Sequence, residues 1–286
     1  MKVTKNIVLD EKGLKPILID LFYKDSTIKM PLIIFCHGYK GFKDWGAWDL
    51  VAKEFAKNDF FFLKFNFSHN GGTVDDPIDF PDLEAFGNNN FSHELNDIER
   101  VIDFAFSKKS VCEKIDKSKV FLIGHSRGGG ICTIKCLENK NIAGLLSWAG
   151  VSNFKKRFSE GSEEFIEWQK KGVKYIQNGR TKQLMPHFFQ FYLDFKKNEN
   201  KYNIKSAVSK INIPYLVIHG DNDKAVDVNE AYDLASWNKK NKLHIVNGAG
   251  HTFGSKHPWK SDKLPDELHQ VVYKSIEFIS QNLNVK

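Results

Sequence analysis

An α/β fold with a mostly parallel sheet covered on both faces is what this sequence predicts, and three features predict it. Short, dense apolar runs recur at residues 31–37, 60–67 and 120–123, the kind of strand that is buried on both faces. Stretches with apolar residues at helical spacing lie between such runs, as at Trp48, Val51, Ala52 and Phe55. One serine, in Gly124-His125-Ser126-Arg127-Gly128, stands where a strand gives way to a segment that can continue as a helix.

The elements follow in order. Residues 3–9 and 15–23, joined around Gly13, read as an antiparallel hairpin; residues 31–37 and 48–57 are a buried strand and a helix. Residues 60–67 form a further strand, and a turn-rich stretch, residues 68–90, follows with Gly71-Gly72 and Asn88-Asn89-Asn90. Ser92 is placed to cap a helix running to about Lys108, with Glu94 in its first turn. A strand at residues 120–123 leads through the serine turn into a helix ending near Glu138. Strands are expected at residues 143–149, 214–219 and 242–246, with helices at residues 229–237 and 266–283.

Residues 151–212 break this rhythm. They carry ten aromatic side chains between Phe154 and Phe195 and no dense strand run, and read as a helical lid inserted into a core made of residues 1–150 and 213–286. The net charge of +7 sits in the same region: residues 154–210 hold thirteen Lys/Arg against six Asp/Glu, and the rest of the chain balances. Only Arg100, Arg127, Arg157 and Arg180 among the 42 basic residues are arginine, which argues against a reader of nucleic acid. No apolar run approaches the ~20 residues of a membrane span, and residues 1–10 lack the apolar core of a signal peptide, so the expected compartment is the cytoplasm. Cys36, Cys112, Cys132 and Cys136 lack the spacing and histidine partners of a zinc site and read as small core residues. Neither a phosphate-binding glycine loop nor a metal motif is present, and no cofactor or metal is expected.

The chemistry gathers around Ser126. A hydroxyl is a poor nucleophile at neutral pH; it needs a base to take its proton and an acid to orient that base. A sharp turn would hold Ser126 clear of the backbone, and the chains pass so closely there that Gly124 and Gly128 are required. Downstream, His219-Gly220-Asp221-Asn222-Asp223 closes one strand and Gly248-Ala249-Gly250-His251 follows the next, and ends of parallel strands converge at one sheet edge. Asp223 is chosen as the acid over Asp221 and Asp227, because the chain turns once before presenting it. His251 is chosen as the base over His257, which precedes Pro258 in a looser setting. Oxyanion donors are expected at the backbone N–H of Arg127 and, from His37-Gly38-Tyr39-Lys40-Gly41 after an earlier strand, of Tyr39.

These motifs, standing together and in this order, resemble the α/β-hydrolase superfamily, in particular its serine esterase and dienelactone-hydrolase-like group, from about Pro31 to His251. Dienelactone hydrolases proper carry cysteine at the nucleophile, so Ser126 puts the chain closer to the esterases, and the inserted segment is similar to the lid of bacterial cinnamoyl-type esterases. The resemblance implies a serine hydrolase that cleaves carboxylic esters of small molecules through an acyl-enzyme; the basic, aromatic inserted segment, not the resemblance, points to an anionic or aromatic substrate. A thioesterase or short-peptide amidase with the same triad keeps the chemistry and changes the bond; a non-catalytic ligand-binding protein on this scaffold is the reading from another class. A basic, aromatic lid would concentrate anionic substrates, whereas lysines solvated on its outer faces would not.

Overall fold

The computed structural model describes residues 1–283. β1 (Lys2–Leu9) and β2 (Ile17–Tyr23) form the expected hairpin, turning at Gly13 with φ +83°. β3 (Met30–Cys36), α1 (Trp48–Lys57), β4 (Phe61–Phe65), the one-turn α2 (Leu83–Gly87), α3 (Phe91–Ser107) and the short α4 (Lys109–Cys112) follow. The serine turn lies between β5 (Ile115–His125) and α5 (Arg127–Glu138), and β6 (Ile142–Trp148) leads into the inserted segment. Within that segment come α6 (Glu163–Lys171), β7 (Val173–Gln177), β8 (Leu184–Phe188), α7 (Gln190–Lys197) and α8 (Ile204–Lys210). β9 (Tyr215–Gly220), α9 (Asn229–Ser236), β10 (Lys242–Val246) and α10 (Asp266–Asn282) complete the fold.

Eight strands build the main sheet in the order β1-β2-β4-β3-β5-β6-β9-β10. β1–β2 and β2–β4 pair antiparallel; from β4 onwards the six strands β4, β3, β5, β6, β9 and β10 are parallel. The period of two decides which side chain enters which core. Leu32, Ile34, Leu63, Phe65, Val120 and Leu122 pack on one face with residues of α3 and α5, while Ile33, Phe35, Phe62, Phe121 and Ile123 pack on the other with α1 and α10.

Two readings need correction. The inserted segment is not purely helical: β7 and β8 pair as an antiparallel ribbon, Val173 opposite Phe188, which its scattered apolar residues did not reveal. And α3 is capped by Asn90, whose Oδ1 accepts the His93 N–H at 2.8 Å; Ser92 instead donates its hydroxyl to Asp194 of α7. The aromatic residues of the segment pack among themselves and on α3, with Phe91 and Phe154 stacked at 4.1 Å between centroids. Cys36 and Cys132 are buried in the core, and all four cysteines are free thiols.

Candidate active site

The loops that carry Tyr39, Ser126, Asp223 and His251 follow the C-terminal ends of β3, β5, β9 and β10. Ser126 joins β5 to α5 in a conformation rare for a non-glycine residue, φ 57° and ψ −121°, with its N–H bonded to Trp148 O at 2.9 Å. Close packing makes the flanking glycines obligatory. A Cβ on Gly124 would lie 2.4 Å from Gly128 O, and one on Gly128 would lie 2.5 Å from Cys36 O. Gly38 is pressed just as closely on the serine, since a Cβ there would sit 2.8 Å from Ser126 Cβ. The peptide leading to Tyr39 therefore runs directly over the hydroxyl.

Asp223 lies beyond β9, with its carboxylate fully buried and saturated by donors. Ala225 and Val226 N–H reach Oδ1 at 2.8 and 2.9 Å, His251 Nδ1 reaches Oδ2 at 2.8 Å and His219 Nε2 lies 3.2 Å from the same oxygen. Burial alone would raise its pKa; the bonds from His219, His251 and Val226 outweigh burial and hold it below the ordinary carboxylate range. An ionised carboxylate only accepts, so His251 carries its proton on Nδ1 and leaves Nε2 free to act as a base. The rivals are engaged elsewhere. Asp221 accepts the Gly248 N–H at 2.6 Å, and His257 Nδ1 accepts the Gly46 N–H at 3.0 Å. His251 is carried to the serine side by a neighbour: the His125 ring lies 4.8 Å from the His251 ring, and its Nε2–H donates to His251 O at 2.9 Å.

The loop after β3 is held from behind. His37 Nδ1–H donates to Gly38 O at 2.9 Å while its Nε2 accepts the Phe67 N–H at 3.2 Å, and burial pushes its pKa down to about 4. Deeper, Lys43 and Lys64 are fully buried with Asp20, which stands opposite Lys64 in the β2–β4 register. Lys64 Nζ also bonds to Lys43 O at 2.7 Å and to Asp44 at 2.8 Å. Asp20, Asp44 and Asp49 come together closely enough to share a cation, but ammonium groups already fill the space between them.

Sequence reasoning missed most of what surrounds Arg127. Its guanidinium bonds to Glu94 at 2.5 Å and lies over the Tyr39 ring, 5.1 Å from the centroid, with Phe191 on its other side. Glu94, read as a helix-start charge, is buried against Arg127 and Asn89. From β8, His187 Nδ1–H donates to Met185 O and its Nε2 accepts the Tyr39 hydroxyl at 2.5 Å, tying the inserted ribbon to the loop after β3. No motif marks His187; only the chain path brings it there. A cavity of about 680 Å³ lies elsewhere, against β10 and α10 at the opposite end of the strands, and touches none of these groups.

The comparisons agree with this fold. Rat monoacylglycerol lipase ABHD6 (Rattus norvegicus) is 22% identical over 267 residues, covering 82% of this chain and 74% of that protein. Est1E from Butyrivibrio proteoclasticus superposes with a TM-score of 0.73 at 17% identity, over 98% of this chain and 99% of that one. The esterase domain of a Rhodothermus marinus protein does so at 0.68 and 14% identity, over 99% and 100%. Among the described residues no helix is long and apolar enough to cross a membrane. Residues 87–255, more than half of the chain, match the family described as alpha/beta hydrolase fold, and the chain belongs to that family.

Proposed function

We propose that this hydrolase cleaves carboxylic esters through an acyl-enzyme on Ser126. The observation that carries the reading is the bond of His251 Nδ1–H to a buried, ionised Asp223 at the sheet edge where the strained Ser126 turn also lies. Ser126 Oγ attacks the ester carbonyl carbon and gives its proton to His251 Nε2. Asp223 keeps the imidazole in the tautomer that can accept it and stabilises the imidazolium. The carbonyl oxygen, now an alkoxide, is met by the N–H groups of Tyr39 and Arg127. Arg127 contributes there through its backbone, since its guanidinium is bound to Glu94. The imidazolium then protonates the departing alcohol, the C–O bond breaks, and water, deprotonated by the same histidine, releases the acid and frees Ser126.

Esters are favoured over amides and thioesters by the company the chain keeps: lipases and esterases are among its relatives, and Est1E has been solved with ferulic acid bound. The acyl group would meet an aromatic wall of Tyr39, Phe86 and Phe191 beside Arg127. A fluorophosphonate probe tests the reading. It should label Ser126 stoichiometrically and abolish turnover of p-nitrophenyl esters; labelling of another residue would overturn the assignment.

A further inference from the structure

The base that protonates the departing alcohol must face it, so in a serine hydrolase the alcohol lies on the histidine side of the serine. A cavity of about 280 Å³ is lined from the loops that carry Tyr39 and His251. It runs from Lys40, next to the oxyanion residue Tyr39, to Thr252, next to His251, and the inserted segment closes it with Asn178 and Arg180. Its lining holds Lys40, Arg180, Lys256 and His257 and no carboxylate.

Two of the cations there, Lys40 and Lys256, both outside the inserted segment, lack the carboxylate partner that its outer lysines have. Lys155, Lys171 and Lys174 each pair with a glutamate at the outer surface. Lys40 and Lys256 make no ion pair among the described residues, and Arg180 has Asp79 alone. The acidic groups nearest His257 are Asp79 and Asp44, the first bound to Arg180 and the second to buried lysines. Lys40 also sits at φ 54°, where glycine would be the cheaper residue, with its ammonium 5.0 Å from the Tyr39 ring centroid. Trp45 and the buried Phe80 add a flat apolar wall.

We propose that this cavity binds the alcohol portion of the substrate, and that this alcohol is a ring bearing a carboxylate or phosphate. Trp45 and Phe80 take the ring, and Lys40, Arg180 and Lys256 take the anion. The inference rests on the ester-hydrolase reading and gives it a substrate class. It narrows the role of the basic segment: most of its cations are solvated outside, and Arg180 is the one that lines the cavity shared with Lys40 and Thr252.

The test compares 4-acetoxybenzoate and 4-acetoxyphenyl phosphate with the neutral 4-acetoxybenzamide, which share one acyl group. At low salt, kcat/KM for at least one anionic ester should exceed that of the amide about tenfold or more, mainly through KM. The two anionic arms decide between carboxylate and phosphate. The ratio should fall towards one as added salt shortens the screening length, and should drop severalfold in Arg180→Gln and in Lys256→Gln. Monophenyl succinate, whose charge lies on the acyl side, should show no such gain over the phenyl ester of succinamic acid. Equal kcat/KM for charged and neutral leaving groups, or a ratio indifferent to both substitutions, would overturn the anionic subsite while leaving the hydrolase reading standing. Failure to turn over any ester, with Ser126 unlabelled by fluorophosphonate, would overturn the reading beneath it.

Discussion

Behind the loop after β3, Lys43, Lys64 and Asp20 are wholly buried, and each charge is met by at least one opposite charge within 3.0 Å. At the ends of β9 and β10, the Asp223 carboxylate is buried to the same degree, yet its partner His251 keeps 23% of its side chain exposed. Both groups face the cost of removing charge from water, and they meet it differently. Around Lys64 the ammonium protons are taken up inside the protein by Lys43 O, Asp44 and Asp20, which fixes the loop and leaves that ammonium nothing to react with. Around Asp223 the carboxylate is saturated, but the imidazole it holds retains one free nitrogen at the surface. Buried charge that only holds structure is closed; the buried charge proposed to do chemistry is left open by one valence.

The largest effects should fall on the open group. Ser126→Ala should lower kcat for any ester by up to about 10⁶-fold while the unfolding midpoint hardly moves; near-normal turnover would remove the nucleophile from Ser126. Asp223→Asn should cost about 10⁴-fold in kcat, because the amide can donate to Nδ1 and stabilise the wrong tautomer. Asp221→Asn should retain most activity, its bond being to Gly248. The opposite ranking would move the acid two residues upstream.

The closed group should respond in stability. Lys64→Met strands Asp20 and Asp44 with fewer partners and should reduce the free energy of unfolding, measured in urea, by about 3–5 kcal/mol. Adding Asp20→Asn should recover part of that loss. A single variant as stable as the wild type would mean that the lysine is not needed to hold the loop.

Acid should separate the groups further. Burial lowers the pKa of His37 to about 4 and that of His125 to about 3, so both are neutral in the fold and bind protons on unfolding below about pH 6.5. Their contribution to stability is complete above that pH and is lost as pH falls towards the folded values. Each should cost about 2 kcal/mol between pH 7 and pH 5. Equal urea stability at the two pH values would contradict neutral buried histidines. The smallest effect belongs to Tyr39→Phe, which removes one bond to His187 and keeps the backbone donor. We expect kcat/KM within about tenfold of wild type; a thousandfold loss would bring the phenol itself into the reaction.

Much of this was legible beforehand where the cause is local. The elbow could be read because its glycines answer to contacts within a few residues and one strand away, as Gly124 against Gly128 makes plain. Dense apolar runs named the parallel strands, since burial on both faces leaves no room for alternation. The placing of Asp223 and His251 on strand ends needed only the chain order and the convergence of parallel strands. Capping was harder: Asn90 and Ser92 are equally good caps by residue type, and the presence of Asp194 across the gap draws Ser92 away.

What the tertiary structure alone decided are the partners distant in sequence. A lysine in the middle of β4 carries no sign that Asp20 will stand opposite it, because register is settled by the whole sheet. Nothing about His187 or Glu94 marks it as a partner of Tyr39 or Arg127, and nothing about Arg180 as a neighbour of Lys40, since each arrives by the path of its own loop or helix. Local sequence specifies which backbone conformations and buried faces are affordable, and hence the fold and the candidate site residues. The surroundings that tune those residues depend on which surfaces meet, and that is a property of the packed chain.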